Sequence, residues 1–200
     1  MLRHNCAKEE VMSKPKKIKV SKSLWFACFI REVGLTLINY NLSMKELLGK
    51  YRGGKNRKLK YLLTSRQGKV KSDLVIVRFD RPTKYESVLR YLAMLDLESA
   101  DSYELLTAGK NLNLKGQILL AAGQFEVGSN GDKDAPSLDY TNGTVTSFTT
   151  MPHDYVGNRP EYDNISFLAR KKRYHRGWKR IASEFNLEDK GRWVQVFPHR

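Results

Sequence analysis

The chain has 200 residues, with 36 Lys and Arg against 21 Asp and Glu for a net charge of +15, and 40 % of it is hydrophobic. That is enough apolar material for one substantial core, and charged residues at 28 % with aromatics at 10 % exclude a disordered basic tail. Two cysteines, Cys6 and Cys28, exclude a disulfide framework, and four scattered histidines do not supply the close ligands of a structural zinc.

Residues 1 to 22 place Lys14, Lys16, Lys17, Lys19 and Lys22 around Pro15, the composition of a flexible basic arm, and Met12 is an alternative start. The apolar run Leu24 to Ile38 is broken by Arg31 and Glu32 and falls short of the roughly 20 residues of a membrane span. No apolar stretch precedes the basic leader as a secretory signal would require. The expectation is a cytoplasmic protein, or a nuclear one in a eukaryotic host, with no membrane partner. Between about Leu24 and Tyr40, Trp25, Phe29 and Val33 mark one helical face and Leu24, Cys28, Leu35 and Ile38 another, which predicts a buried helix capped by Ser23.

Ser43-Met-Lys-Glu46 is a capping box for a short helix from Met44 to about Tyr51, ended by Gly53-Gly54. The densest N-terminal basic patch surrounds it: Lys50, Arg52, Lys55, Arg57, Lys58, Lys60, Arg66, Lys69 and Lys71, with Tyr51 and Tyr61 between. Leu74 to Phe79 is an unbroken apolar run between Asp73 and Asp80 and predicts a central strand. Tyr85, Val88, Leu92 and Leu95 recur at helical spacing, predicting a helix from about Lys84 to Leu97, and a shorter one spans Asp101 to Ala108. Leu112 to Val127 fits strand or buried helix equally.

Residues 128 to 160 read as a long surface excursion ordered by a hairpin, because Asn142-Gly143 sits between Thr, Tyr, Val and Phe. From about Ile165 a helix is predicted with Phe167, Tyr174, Trp178, Ile181 and Phe185 on one face and Lys172, Arg173, Arg176, Lys179 and Arg180 on the other. Arg192 to Phe197 reads as a closing strand. Together these elements predict an α+β fold, mainly helical, with a small sheet and a hairpin excursion. The arm of residues 1 to 22 would precede a single globular domain over residues 23 to 200.

Charge is sorted along the chain. Lys and Arg outnumber Asp and Glu by 17 to 4 over residues 1 to 70 and by 10 to 3 over residues 166 to 200, while residues 71 to 165 carry 9 against 14. Cationic blocks flanking an acidic middle point to a polyanionic partner. The expected nucleic-acid contacts are Lys50, Arg52, Lys55, Arg57, Lys58 and Lys60 in one block and Arg170, Lys171, Lys172, Arg173, Arg176, Lys179 and Arg180 in the other. Seven cations among the eleven residues 170 to 180, with no acid, repel one another unless an anion is present. Tyr174 and Trp178 are candidate base-stacking residues, although their spacing with Ile181 and Phe185 fits core packing better.

Trp178 to Leu187 resembles the first helix and turn of a helix-turn-helix, but Gly191 and a β-like run stand where the recognition helix should follow. No Walker loop and no Gly-x-Gly-x-x-Gly is present, so no nucleotide cofactor is expected. Asp73 and Asp80 flank the clear strand, and Glu126, Asp132 and Asp134 cluster later, but none forms a nuclease signature. Ser147, His153 and His175 build no triad, so no catalytic or metal-binding residue is assigned. The reading is a non-enzymatic nucleic-acid-binding protein, with a second copy or an acidic protein as a further partner. The alternatives are a structural or assembly protein, such as a viral or mobile-element component, and a metal-dependent nuclease or RNA-processing enzyme.

Overall fold

The run Leu74-Val-Ile-Val77 has no polar face because the folded chain covers it on both sides. All four residues are at most 1 % exposed, and burying each such side chain contributes about 1.5–3 kcal/mol. The structure, a computed structural model, describes residues 17–18, 26–49, 51, 64–80, 83, 85–124, 126–127, 133–142, 144–152, 164–172 and 192–196. Within these, the strands are β1 (Lys17–Ile18), β2 (Phe26–Asn39), β3 (Lys69–Phe79), β4 (Leu97–Ser99), β5 (Ile118–Leu120), β6 (Glu126–Val127), β7 (Lys133–Thr141), β8 (Thr144–Pro152), β9 (Ile165–Lys171) and β10 (Arg192–Val196). The helices are α1 (Met44–Leu48), α2 (Tyr85–Met94) and α3 (Ser102–Gly109).

The strands join in one mixed sheet whose order runs β1, β10, β2, β3, β9, β5, β7. β4 and β5 share the edge of β9 away from β3: Ala169 pairs with both Val75 and Ser99, and Phe167 with both Val77 and Leu120. β8 lies along the other edge of β7. The β1–β10 and β5–β9 pairs are parallel and the rest antiparallel.

Strand alternation sorts the core into two layers. Val75, Val77 and Phe79 of β3, with Phe167 and Ala169 of β9, pack against Tyr85, Val88 and Leu92 of α2. Leu74, Ile76 and Leu168 face the other way, towards Met44 and Leu47 of α1 and Tyr103, Leu105 and Leu106 of α3. A bulge in β2 changes the face that strand offers: Glu32 lies opposite Val75 and Gly34, at φ 85°, opposite Leu74, leaving Val33 as the extra residue. Before it Cys28 and Ile30 enter the α2 layer, and after it Ile38 enters the α1/α3 layer. Leu35 and Leu37 are thereby turned outward and are 74 % and 55 % exposed.

A mainly helical fold with a small sheet is therefore not what forms; among the described residues ten strands outweigh three short helices. Phe26–Asn39 is a strand where a buried helix was expected, and Ile165–Lys171 is a strand where the cationic helix was expected to begin. The physical reason is common to both. β9 is covered on both faces over Ile165 to Ala169, and β2 changes its buried face at the bulge, so each carries apolar residues at successive positions as a buried helix does, and periodicity does not separate the two.

Several local elements form where the sequence places them, although α1 ends at Leu48 rather than near Tyr51. α1 has its capping box at Ser43 and Glu46, α2 and α3 occupy the predicted windows, β3 is central, and β7 and β8 form the hairpin around Asn142. The hairpin is no appendage, because Leu138 pairs with Leu119 and is 0 % exposed. Arg192–Val196 pairs with Phe26–Ile30.

Gly123 fixes the return of the chain beneath β4. Its N–H donates to the Ala100 carbonyl at 3.1 Å, and a Cβ there would stand 2.7 Å from that oxygen and 2.9 Å from the Ser99 carbonyl oxygen. The backbone must shift to admit it. Gly123→Ala is expected to lower stability by about 1–3 kcal/mol in urea unfolding, and an unchanged midpoint would contradict so close an approach.

Candidate functional site

The two ends of β9 are unlike. Ile165 to Ala169 are buried, but Arg170 and Lys171 carry the strand past the core and, by alternation, to opposite faces of the sheet. On the α3 face the Arg170 guanidinium spans two carboxylates, donating through Nε to Glu98 at 2.9 Å and through Nη1 to Glu104 at 3.1 Å. On the α2 face the Lys171 ammonium lies 2.8 Å from Glu32 and 3.2 Å from Asp73.

Glu104 is 0 % exposed. It stands at the third position of α3, where its carboxylate accepts from the Asp101 N–H at 2.9 Å while Asp101 accepts from the Glu104 N–H at 2.9 Å. This reciprocal cap fixes the rotamer. The same carboxylate accepts from the Ser72 hydroxyl at 2.7 Å and from Arg66 at 3.4 Å. Arg66 Nη1 also donates to the Tyr40 hydroxyl at 3.0 Å, and that hydroxyl donates to Asp101 at 2.9 Å. Two carboxylates one helical turn apart thus share two guanidiniums, a serine and a tyrosine.

The electrostatics follow from this crowding. Burial raises the Asp101 pKa above its ordinary value, helped by the adjacent Glu104 charge, while the Glu104 amide, the Tyr40 hydroxyl and Arg66 oppose the rise. The hydrogen bond from Arg170 lowers the Glu98 pKa, with the charges of Arg170, Lys172 and Arg66 adding to the effect. For Arg170, burial works against the charge, but Glu104 and Glu98 outweigh it and hold the guanidinium cationic.

Beside this network lies a groove of 660 Å3, lined by Leu35, Arg66, Val70, Lys71, Ser72, Asp73, Glu98, Arg170, Lys171 and Lys172, among others. Its cause is a mismatch of strand lengths. β9 pairs with β3 only over Leu74 to Val77, and β10 pairs with β2 only over Phe26 to Ile30. Beyond those limits, among the described residues, β2 and β3 continue as a two-stranded ribbon, and the edge of β3 at residues 70–73 forms the groove floor.

Five cations and two carboxylates line the groove, and Glu32, Asp101 and Glu104 stand behind them. The carboxylates are spent on Arg170, Lys171 and one side of Arg66. Lys71 and Lys172 have no carboxylate at ion-pairing distance among the described residues, and the Arg66 side chain is 34 % exposed. Although Glu98 and Asp73 also open onto the groove, the cations outnumber the acids along its lining, an arrangement that attracts an anion from solvent.

Of the residues expected from sequence to contact nucleic acid, Arg170, Lys171 and Lys172 come together here, the first two engaged by carboxylates. Lys50, Arg52, Lys55, Arg57, Lys58, Lys60, Arg173, Arg176, Lys179, Arg180, Tyr174 and Trp178 lie outside the described residues, as do the N-terminal arm apart from β1 and the stretch resembling a helix-turn-helix. Tyr40, Ser72, Glu98, Asp101 and Glu104 were not singled out from sequence. The signal for the last two is the spacing Asp-x-x-Glu before an apolar helix, which marks a capping box but not its burial. Among the described residues no three His, Cys, Asp or Glu side chains are grouped to hold a metal, and no helix is long and apolar enough to cross a membrane. Compared with protein-family models, curated proteins and solved structures, the chain finds no match.

Removing one member of a buried pair leaves its partners uncompensated, at a cost of about 3–5 kcal/mol. Glu104→Gln should lose that much stability in urea unfolding, whereas Lys71→Ala should change it by under about 0.5 kcal/mol; similar small losses in both would contradict the network. A raised Asp101 pKa means the folded chain holds this proton more tightly than the unfolded chain. The associated stability is complete below the ordinary value of 3.8 and is lost as pH rises through the raised one. Asp101→Asn keeps a capping residue without the titration, so the stability of the wild type relative to this variant should fall from acid towards neutral pH. A relative stability that grows with pH would contradict the assignment.

Proposed function

We propose that this chain binds nucleic acid through its phosphate backbone, with the groove beside β3 as the anchoring surface. The observation that carries the reading is where the sequence enters and leaves that groove. Lys172 lines it and is followed directly by Arg173, Tyr174, His175 and Arg176, with Lys179 and Arg180 just beyond. Arg66 lines it too, and stands a few residues after the stretch holding Arg52, Lys55, Arg57, Lys58 and Lys60. The two cationic blocks, more than 100 residues apart in sequence, are covalently tethered to one surface.

Within this reading the roles divide. Lys71, Lys172 and the exposed side of Arg66 meet phosphates. Arg170 and Lys171, held by Glu98, Glu104, Glu32 and Asp73, shape the wall and set its field. Contacts of this type fix position on the polymer without reading its sequence.

Binding to a labelled oligonucleotide should weaken linearly on a plot of log affinity against log salt concentration, each phosphate contact contributing about 0.7–0.9 to the slope. Replacing Lys71 and Lys172 together by Ala should lower the slope by about 1.4–1.8 and weaken binding alike for unrelated sequences. Affinity that is the same at low and high salt would contradict the proposal.

A further inference from the structure

The groove's shape narrows the class of nucleic acid. Resting on the phosphate-binding reading, we propose that it takes a single strand, DNA or RNA, in preference to a duplex. The chemistry common to both is a phosphodiester chain carrying unpaired bases, and each groove feature matches one part of it.

The first feature is where the cations that open onto the groove stand. β3 alternation puts Lys71 on the face of the sheet that carries α2, whereas Arg66 is tied to Asp101 and Glu104 on the face that carries α3, and Lys172 lies past the end of β9. Positive charge is therefore arranged around the edge of one strand. A flexible single chain can follow such an edge. A duplex, with a persistence length of about 50 nm, meets it at the rim only.

The second is size. A volume of 660 Å3 falls within the range of about 300–1,000 Å3 typical of clefts for small ligands. It admits a nucleotide-sized group, not the flank of a double helix. The third is apolar surface. Leu35 lines the groove and is 74 % exposed, and Leu37, 55 % exposed, follows it on the same face of β2. In a duplex the base faces are already stacked on one another, so only an unpaired base gains by covering such side chains.

The fourth is the floor. Along residues 70–73 no described strand pairs with β3 on the groove side, so alternate backbone N–H and C=O groups point into the groove. An unpaired base offers donors and acceptors on its Watson–Crick edge to match them, and a paired base does not.

Fluorescence anisotropy with the full chain can test this, using labelled oligonucleotides of one sequence of about 20 nucleotides as single-stranded DNA, single-stranded RNA and their duplexes. The expected result is that each single strand that binds does so at least about tenfold more tightly than its own duplex. Lys71→Ala/Lys172→Ala should remove most of that difference, and the uncharged Leu35→Ser should weaken the single strand while leaving residual duplex binding unchanged within about twofold. Circular dichroism on each variant confirms the fold; Lys71 and Leu35 are exposed and Lys172 is half-buried. Equal or tighter duplex binding, or equal losses on both forms, overturns the single-strand inference and leaves the phosphate-binding reading standing. No salt-sensitive binding to any of the four overturns that reading itself.

Discussion

A carboxylate with no access to water organises this molecule. Glu104 joins four parts of the chain: the first turn of α3 through its cap, β3 through Ser72, β9 through Arg170 and the segment before β3 through Arg66. Taking an ion out of water costs several kcal/mol, and only good geometry with every lone pair engaged offsets it. Here the geometry comes from the fold: the sheet sets Ser72 and Arg170 on the same face, and the helix N-terminus places Glu104 opposite them. The buried charge fixes the register of α3 on the sheet and with it the wall of the groove.

The same network determines what the groove presents to solvent. Glu104 and Asp101 lie beneath and hold the guanidiniums from behind, and Glu98 and Asp73 open onto the groove beside Arg170 and Lys171. The net positive lining comes from Lys71 and Lys172, which have no carboxylate at ion-pairing distance among the described residues. The mismatch between β9 and β3 adds the concavity, and the bulge at Val33 turns Leu35 and Leu37 out beside it. Charge, backbone edge and apolar surface converge at one end of the ribbon, and on the proposed reading these are the features that a flexible polyanion with unpaired bases would engage.

How much of this could be read from the sequence depended on the signal. The capping box of Ser43 and Glu46, the amphipathic spacing of Tyr85, Val88 and Leu92, and Asn142-Gly143 between β-formers each have a local cause, and those elements form. Phe26–Asn39 and Ile165–Lys171 have no local cause: their apolar residues serve two core layers at once, a property of the assembled sheet. Misreading them as helices hid the groove, since Lys171 and Lys172 on a helix would not flank the edge of β3. The basic patch ending at Lys71 was legible by composition. That Arg66 reaches a buried acid pair from another part of the chain was not, because side-chain pairing across 35 or more residues leaves no mark on local spacing.

The central claim is that the groove end of the β2–β3 ribbon is the surface that meets nucleic acid. Lysine acetylation footprinting of the full chain, with and without a saturating single-stranded oligonucleotide, tests it at the level of individual side chains. Lys71 and Lys172 should lose reactivity in the complex, while the exposed Lys110 and Lys115, which do not line the groove, should keep theirs. Unchanged reactivity at Lys71 and Lys172, or equal protection of all four, would contradict the account.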